Sequence, residues 1–366
     1  MTDPDAMMRL ALAEASKGLG HTAPNPPVGA VVVREGAVLG RGYHARAGAP
    51  HAEPMALADA GAAARGADLY VTLEPCCTHG RTPPCTEAIL KAGIGRVFVG
   101  CTDPNPRHAG RAYAILREAG IEVVEDVLQE ACAELVRAFS FAVTHKRPYV
   151  SLKFGTSLDG RIADADGVSR WITGAACRER VQALRRQVDA VLVGTETVIQ
   201  DNPSLMPCPP EGRAPWRLIP DRLGRLPLDL KVFTDENARR TLCIFGRDVP
   251  EHHRKALTSR GVQWVEGPCG GRGDGSGFDW TAVLHDLCGR GIHHILCEGG
   301  GRLAAALWDA GLVNEVFWGQ APMLLGASGR PVIARDWALA SAPRLRRISL
   351  ETLGEDVWMR FRVNEA

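Results

Sequence analysis

Between His51 and Cys85 the chain reads HAEPMALADA and then YVTLEPCCTHGRTPPC, residue types that suit a metal ion activating water. His51 and Glu53 form an H-x-E pair. Pro75-Cys76 follows the short strand-like run Tyr70 to Leu73, and Cys85 lies nine residues beyond Cys76. One imidazole and two thiolates give Zn²⁺ three protein ligands and leave the fourth tetrahedral position to water, the mark of a catalytic rather than a structural site. Zinc lowers the pKa of that water towards neutrality. Glu53 is the carboxylate left over, placed to accept the water proton and hand it on as a general acid and base. A structural zinc module would instead need a fourth ligand, Cys77 or His79, and would leave Glu53 without a task. Cys77 is also an alternative to Cys76 as ligand.

H-x-E followed by P-C and a further Cys is the zinc-deaminase signature, in which hydroxide attacks a ring carbon bearing an exocyclic amine. The usual spacing is P-C-x-x-C, whereas eight residues separate Cys76 and Cys85 here. The elements that must hold these groups are readable around them. Pro54 suits a first helical turn, so a helix is expected to start near His51. Val28–Val33 and Ala37–Tyr43 read as strands joined by Arg34-Glu35-Gly36, with Asn25 entering the first and His44 leaving the second. Both side chains could reach a substrate beside His51. Beyond Cys85, TEAILKAGI reads as a helix ending at Gly93, RVFVGC as a buried strand, RAYAILREAGI as a helix closed by Gly120, IEVVED as a strand, and Val127 to Val143 as one helical run. The N-terminus reads as an amphipathic helix capped by Asp3 or Asp5. Such alternation predicts an α/β sheet with helices on both faces. Thr102 to Pro106 is a turn at the sheet end where α/β proteins place ligands, or simply the end of a strand.

The 366 residues suggest two domains, and an apolar content of 45% with a net charge of +1 is that of an ordinary globular protein. That charge gives no electrostatic case for nucleic acid or membrane partners. No window approaches the roughly 18 apolar residues of a membrane helix. Eleven cysteines without a signal-peptide pattern imply reduced thiols and a cytoplasmic setting. The boundary is expected at Thr144 to Pro148, giving domains 1–146 and 147–366. There the α/β alternation restarts, with a strand at Tyr149–Phe154, a helix in ACRERVQALRRQ, and a buried strand in VDAVLVG that feeds Thr195-Glu196-Thr197. Later a strand, Ile292–Cys297, meets Gly299-Gly300-Gly301 and a helix from Arg302 to Ala310. Glycines between a strand and a helix N-terminus let backbone N–H groups approach a phosphate, and Arg302 adds to the case for an anionic ligand. Glu266–Gly277 reads as a mobile glycine-rich surface loop.

Taken together these segments resemble the bifunctional riboflavin biosynthesis deaminase–reductase family. HAE, YVTLEPCCTHGRTPPC and CTDPNPRHAGRA are similar to its deaminase part; SLDGRIA, RWITG, QDNPSL, CEGGGRLAAAL and APMLLG are similar to its reductase part. The resemblance implies an α/β protein with a cytidine-deaminase-like α/β/α domain followed by a dihydrofolate-reductase-like α/β domain. It implies Zn²⁺ and NADPH as cofactors, and a small-molecule substrate, a phosphorylated ribosylaminopyrimidine that is deaminated and then reduced from ribosyl to ribityl. A homo-oligomer is expected, with no nucleic acid or membrane partner. Carried over by position, His51, Cys76 and Cys85 hold the metal and Glu53 is catalytic, while Asn25, His44, His79 and Arg81 line the substrate. Gly155, Trp171, Thr197, Asp201, Gly300, Gly301, Arg302, Leu303, Ala304, Ala305 and Ala306 correspond to cofactor positions. Ser169, Arg185, Leu205 and Glu298 correspond to positions around the ribose phosphate. The family usually has a phosphate-holding Arg where this chain has Cys208, and Lys where it has Met323. Loss of a charge-assisted clamp predicts a weaker reductase unless Arg213 or Arg217 compensates. The alternatives are a deaminase with a redirected second domain, and a nucleobase or tRNA deaminase fused to an unrelated domain.

Overall fold

The computed structural model describes residues 3–79, 83–210, 212–270 and 277–364. The chain divides into two compact units, Met1–Lys146 and Arg147–Ala366. In the first, α1 (Pro4–Ser16) starts at the Asp3 cap, whose side chain accepts the Asp5 N–H. It is followed by β1 (Gly29–Arg34), β2 (Ala37–Tyr43), α2 (Ala52–Ala60), β3 (Asp68–Val71), α3 (Cys85–Ala92), β4 (Arg96–Val99), α4 (Arg111–Glu118), β5 (Glu122–Val124), α5 (Gln129–Leu135) and α6 (Arg137–His145). The sheet order is β2-β1-β3-β4-β5, with β1 antiparallel to both neighbours and β3, β4 and β5 parallel.

Alternation along β1 divides the core. Ala30 and Val32 face α2, α3 and α4, where Ala52, Ala56, Ile89 and Leu116 pack; Val31 and Val33 face α1 and α5 with Met8, Ala11 and Cys132. Two expectations shift. Strand β3 runs Asp68–Val71 rather than Tyr70–Leu73, because Thr72 leaves the ladder to exchange bonds with Gly29: its N–H donates to the Gly29 carbonyl and its Oγ1 accepts the Gly29 N–H. The helical run after Val127 is two helices broken at Val136 (φ −99°, ψ 10°). Leu128, Cys132 and Val136 share one face at four-residue spacing, while Phe141 and Ala142 require another, and a straight helix cannot bury both.

Strand β2 approaches α2 through glycine. A Cβ on Gly42 would lie 2.3 Å from the Ala52 carbonyl oxygen and 2.5 Å from the Ala56 nitrogen. Gly42→Ala is therefore expected to destabilise the first unit by about 1–3 kcal/mol. The measurement is an earlier denaturant midpoint in far-UV circular dichroism, accompanied by weaker zinc uptake because His51 rides on the displaced helix. An unchanged midpoint would show that the two elements separate freely.

The second unit contains β6 (Tyr149–Thr156), β7 (Arg161–Ala163), α7 (Ala175–Gln187), β8 (Ala190–Leu192), α8 (Thr195–Asp201), β9 (Trp216–Asp221), α9 (Lys231–Thr234) and β10 (Thr241–Phe245). It continues with α10 (Glu251–Thr258), β11 (Gln263–Glu266), α11 (Trp280–Gly289), β12 (His294–Cys297), α12 (Gly301–Asp309), β13 (Glu315–Gln320), β14 (Arg330–Pro331), β15 (Leu345–Leu353) and β16 (Asp356–Val363). Nine strands form one sheet ordered β11-β10-β9-β8-β12-β6-β13-β16-β15; the first seven are parallel, and β16 is antiparallel to both its neighbours, β13 and β15. Helices α11 and α12 cover one face over Val150, Leu152, Leu192 and Ile244, and α7, α8 and α10 cover the other over Val191, Val193, Ile219 and Phe245. Residues 271–276 of the glycine-rich loop lie outside the described residues; Cys269 and Phe278 at its two ends form a single antiparallel bridge. Among the described residues, no helix is long and apolar enough to cross a membrane.

Candidate active site

Three segments of the first unit converge. His51 is the last extended residue before α2, with Glu53 in that helix's first turn, and Cys85 opens α3 after the extended Pro84. Cys76 lies in the turn that leaves β3. His51 Nδ1 stands 3.3 Å from Cys85 Sγ and 3.6 Å from Cys76 Sγ, and the three ligand atoms lie within 4.8 Å of one another. Bonds of about 2.0–2.3 Å to a tetrahedral ion place its ligands about 3.5–3.8 Å apart, so the donor set fits zinc nearly as it stands. The positive ends of α2 and α3 both point here, which favours thiolate. A hydrogen bond from Cys85 and the neighbouring His51 bring Cys76 down to about 4 against the effect of burial. Cys85, which gives that hydrogen bond and is itself buried, is held well above the usual thiol range. Glu53 is buried, and desolvation together with the Cys76 charge raises its carboxyl to about 7.

Asn25 and His44 are brought together beside this centre. The Pro50 carbonyl, 3.0 Å from His44 Nδ1, can only accept, so Nδ1 carries the proton and Nε2 accepts from Asn25 Nδ2 at 3.0 Å. Burial lowers the His44 pKa and keeps the ring neutral. Its ring meets His51 edge-on at 5.1 Å between centroids. His79 is exposed and faces Glu87 at 3.1 Å, away from the ligand atoms. Arg81 lies outside the described residues. Cys77 turns to His108, 3.5 Å from its Nδ1, so neither Cys77 nor His79 supplies a fourth ligand. Among the described residues the metal-binding group is His51, Cys76 and Cys85.

Sequence reasoning missed Glu74. This buried carboxylate accepts three backbone N–H groups, two from the loop after β4 and one from the first turn of α4: Asp103 (3.1 Å) and Gly110 (2.9 Å) on Oε2, Ala112 (3.1 Å) on Oε1. The signal was an acid inside the otherwise apolar run V-T-L-E-P-C, where burial demands partners. The Thr102–Pro106 turn is thereby fastened to the residue two before Cys76.

In the second unit the nominated residues gather at the C-terminal ends of the parallel strands. Gly155 is in β6, Thr197 and Asp201 are in α8, and Gly300 caps α12 in extended conformation. Gly301 is obligatory, since a Cβ there would meet the Pro331 carbonyl oxygen at 2.8 Å. Leu303, Ala304 and Ala305 are buried, the first two in the core between α12 and the sheet, and the Leu303 and Ala304 amides bond to the Gly300 carbonyl. This leaves the amides of Gly301 and Arg302 to meet an anion, with Ala306 further along the helix. Trp171 is 67% exposed and lies under the Arg178 guanidinium, 4.6 Å from its ring centre. Ser169 Oγ donates to Asp201 at 3.5 Å. Glu298 is buried and bound by Arg185 at 2.7 and 3.0 Å, with Lys153 Nζ at 3.5 Å. Lys153 was missed because a single Lys within a strand carries no spacing signal. Leu205 is buried in left-handed conformation (φ 62°), and the adjoining Met206 carbonyl accepts from Arg185.

Residues 148–359 match the family model of the RibD C-terminal domain, and residues 1–101 match that of the cytidine and deoxycytidylate deaminase zinc-binding region. The riboflavin biosynthesis protein RibD of Aquifex aeolicus is 40% identical over 97% of both chains, and that of Escherichia coli is 37% identical over 96% of both. The chain belongs to the RibD family. Solved structures agree: Acinetobacter baumannii RibD superimposes with a TM-score of 0.89 at 37% identity, covering 99% of each chain. A Thermotoga maritima diaminohydroxyphosphoribosylaminopyrimidine deaminase/5-amino-6-(5-phosphoribosylamino)uracil reductase superimposes with a TM-score of 0.87, again over 99% of each. As a RibD chain it is a bifunctional enzyme of riboflavin biosynthesis, with a cytidine-deaminase-like domain and a dihydrofolate-reductase-like domain. This displaces the readings of a nucleobase or tRNA deaminase with an unrelated partner and of a structural zinc module. The two arginines that could compensate for Cys208 are engaged elsewhere: Arg217 is wholly buried against Asp235 at 2.7 and 2.9 Å, and Arg213 pairs with Asp189 at 2.7 Å. Cys208 itself is exposed, its N–H donating to Gln182.

Proposed function

We propose that the first unit hydrolyses the amino group of 2,5-diamino-6-ribosylamino-4(3H)-pyrimidinone 5′-phosphate and that the second reduces the ribosyl group of the product to ribityl with NADPH. The observation that carries the first step is the His51–Cys76–Cys85 donor set with buried Glu53 beside it. Zinc, when bound there, supplies a water whose pKa is near neutral. Glu53, poised at about 7, moves one proton of the water to the ring nitrogen and then carries the second, from the added hydroxyl, to the departing amine. The Asn25 side chain, held through His44, keeps its carbonyl oxygen free to orient the pyrimidine edge. NADPH supplies the hydride of the second step, and the chain supplies its placement. The Gly301 and Arg302 amides offer N–H groups to the pyrophosphate, and Glu298 with Lys153 and Arg185 makes a rigid polar wall for the ribose side.

The test follows ammonia release and NADPH oxidation separately in the purified, zinc-loaded protein. Ammonia first, then one NADPH consumed per ammonia, is the expected course. No ammonia would remove the deaminase assignment. A second reading, a working deaminase with a weakened or redirected reductase, draws on Cys208 and on the engagement of Arg213 and Arg217 elsewhere. It predicts ammonia without NADPH consumption.

A further inference from the structure

At the C-terminal ends of β6 and β13, two loops of the second unit are fastened together by one surface carboxylate. The strands are parallel and end level, Gly155 opposite Gly319 and Thr156 opposite Gln320. The loop after β6 turns back at once. Ser157, wholly buried, donates its hydroxyl to Asp159 Oδ1 at 2.6 Å and accepts the Arg161 N–H at 3.0 Å. The loop after β13 lies against this turn. The Leu158 N–H donates to the Met323 carbonyl at 2.7 Å, and the Asp159 carboxylate accepts the Leu325 N–H on Oδ1 at 3.1 Å and the Gly326 N–H on Oδ2 at 2.7 Å. The Ser157 hydroxyl and these two amides bring the Asp159 carboxyl down to about 2 and keep it ionised. Asp159 belongs to the SLDGRIA segment, none of whose side chains is among the nominated cofactor or substrate positions.

Beyond Gly326 the same stretch runs to the other cofactor positions. Strand β14 pairs with β7, the Val332 N–H donates to the Gly160 carbonyl at 3.3 Å, and the Ala334 N–H donates to the Gly301 carbonyl at 3.1 Å, in the first turn of α12. Arg330 Nη1 donates to Gln200 on α8 at 3.3 Å. One strap, residues 321–334, thus joins the end of β6, α8 and the start of α12, and Asp159 holds the bend at its beginning. Among the described residues every hydrogen bond of that carboxylate goes to these two loops. A surface group of this kind adds little to global stability. It does set where the loops stand, and a misplacement of about 1 Å far from the chemistry costs about 10²-fold in rate. We propose that Asp159 is a positioning residue of the reductase: by clipping the strap to the end of β6, it holds nicotinamide and substrate ribose in register for hydride transfer. The proposal rests on the reductase reading above. In that step, taken net, a hydride adds to the ribose C1′, the bond from C1′ to the ring oxygen breaks, and that oxygen takes a proton from solvent.

The experiment compares full-length, zinc-loaded wild type, Asp159→Ala and Asp159→Asn. In single turnovers with NADPH and substrate deaminated beforehand, Asp159→Ala is expected to slow hydride transfer about ten- to a hundred-fold. Its NADPH affinity, read by energy transfer from tryptophan to the nicotinamide, should change by less than about threefold. Its melting temperature, followed by tryptophan fluorescence, should move by less than about 4 °C. Asp159→Asn keeps one acceptor oxygen and should fall between the other two. Without cofactor, the amides of residues 321–334 should exchange their hydrogens faster in Asp159→Ala than in wild type, while those of α11 keep their rates. Unaltered hydride transfer or unaltered exchange in Asp159→Ala would overturn the proposal and leave the reductase reading intact. So would a slower rate matched by lost melting temperature and lost NADPH binding, the pattern of a merely structural residue. A wild type that oxidises no NADPH would overturn the reductase reading, and this proposal with it.

Discussion

Glu53→Gln is expected to lower ammonia release by about 10²–10⁴-fold while leaving NADPH oxidation of substrate deaminated beforehand unaffected. Gln keeps the size of the side chain and its place in the first turn of α2, but its amide has no basic oxygen to take a proton from water and return it. Zinc content separates this role from a structural one. His51, Cys76 and Cys85 are untouched by the substitution, so one zinc per chain should remain, measured by atomic absorption. A variant that keeps its zinc and still releases ammonia at the wild-type rate would remove Glu53 from the chemistry. Unaltered NADPH oxidation serves as the internal control, because it depends on the second unit.

Glu298→Ala is expected to destabilise the second unit by about 3–5 kcal/mol, since it leaves two cations facing a low-dielectric interior without their counter-charge. Arg185 and Lys153 are 15% and 19% exposed, too enclosed for water to replace the carboxylate. All eight tryptophans lie beyond residue 147, so their fluorescence in a denaturant titration reports the second unit alone. The wild type should also show a specific acid sensitivity. Burial alone would raise the Glu298 pKa, but the charges of Arg185 and Lys153 outweigh it and bring the group from its ordinary 4.5 to about 2. A carboxylate lowered on folding contributes stability that is present above its unfolded pKa and lost as pH falls towards its folded one. The second unit should therefore weaken between about pH 4.5 and 2. Glu298→Ala should lose this part of the acid dependence. A variant as stable as wild type at neutral pH would mean that Arg185 and Lys153 find other partners.

The metal centre was legible because its chemistry is local. H-x-E before a helix and P-C after a strand fix both the residue types and the elements that carry them, and the chain needs only one α/β layer to bring the three donors together. Apolar runs bounded by turn residues likewise marked β1, β2, β4 and β5. Long-range partnerships were not legible. Glu298 meets Arg185 across 113 residues, and nothing near either one in sequence announces the other. Strands β9, β10 and β11 were left unassigned: β9 and β10 are almost wholly buried and show no alternation to read, and β11 is a short, largely exposed edge strand. The same holds for Arg217, which looked available for phosphate as an isolated cation. Its complete burial against Asp235 depends on how β9 sits among its neighbours. Position alone nominated Ala304 and Ala305; the helix turns them into the core.

Glu74 has a consequence for the time scale on which the active-site wall opens. Its carboxylate does for the Asp103–Ala112 segment what a neighbouring strand would do, holding three amides from inside the protein. Loop amides ordinarily exchange their hydrogens with solvent through small local openings, whereas these three must wait for the buried carboxylate to let go. That release also loosens the turn carrying Cys76. The segment beside the metal ligands thus shares its opening free energy with the parallel strands. By hydrogen exchange these three amides are expected to behave as sheet, although most of the segment's backbone is loop.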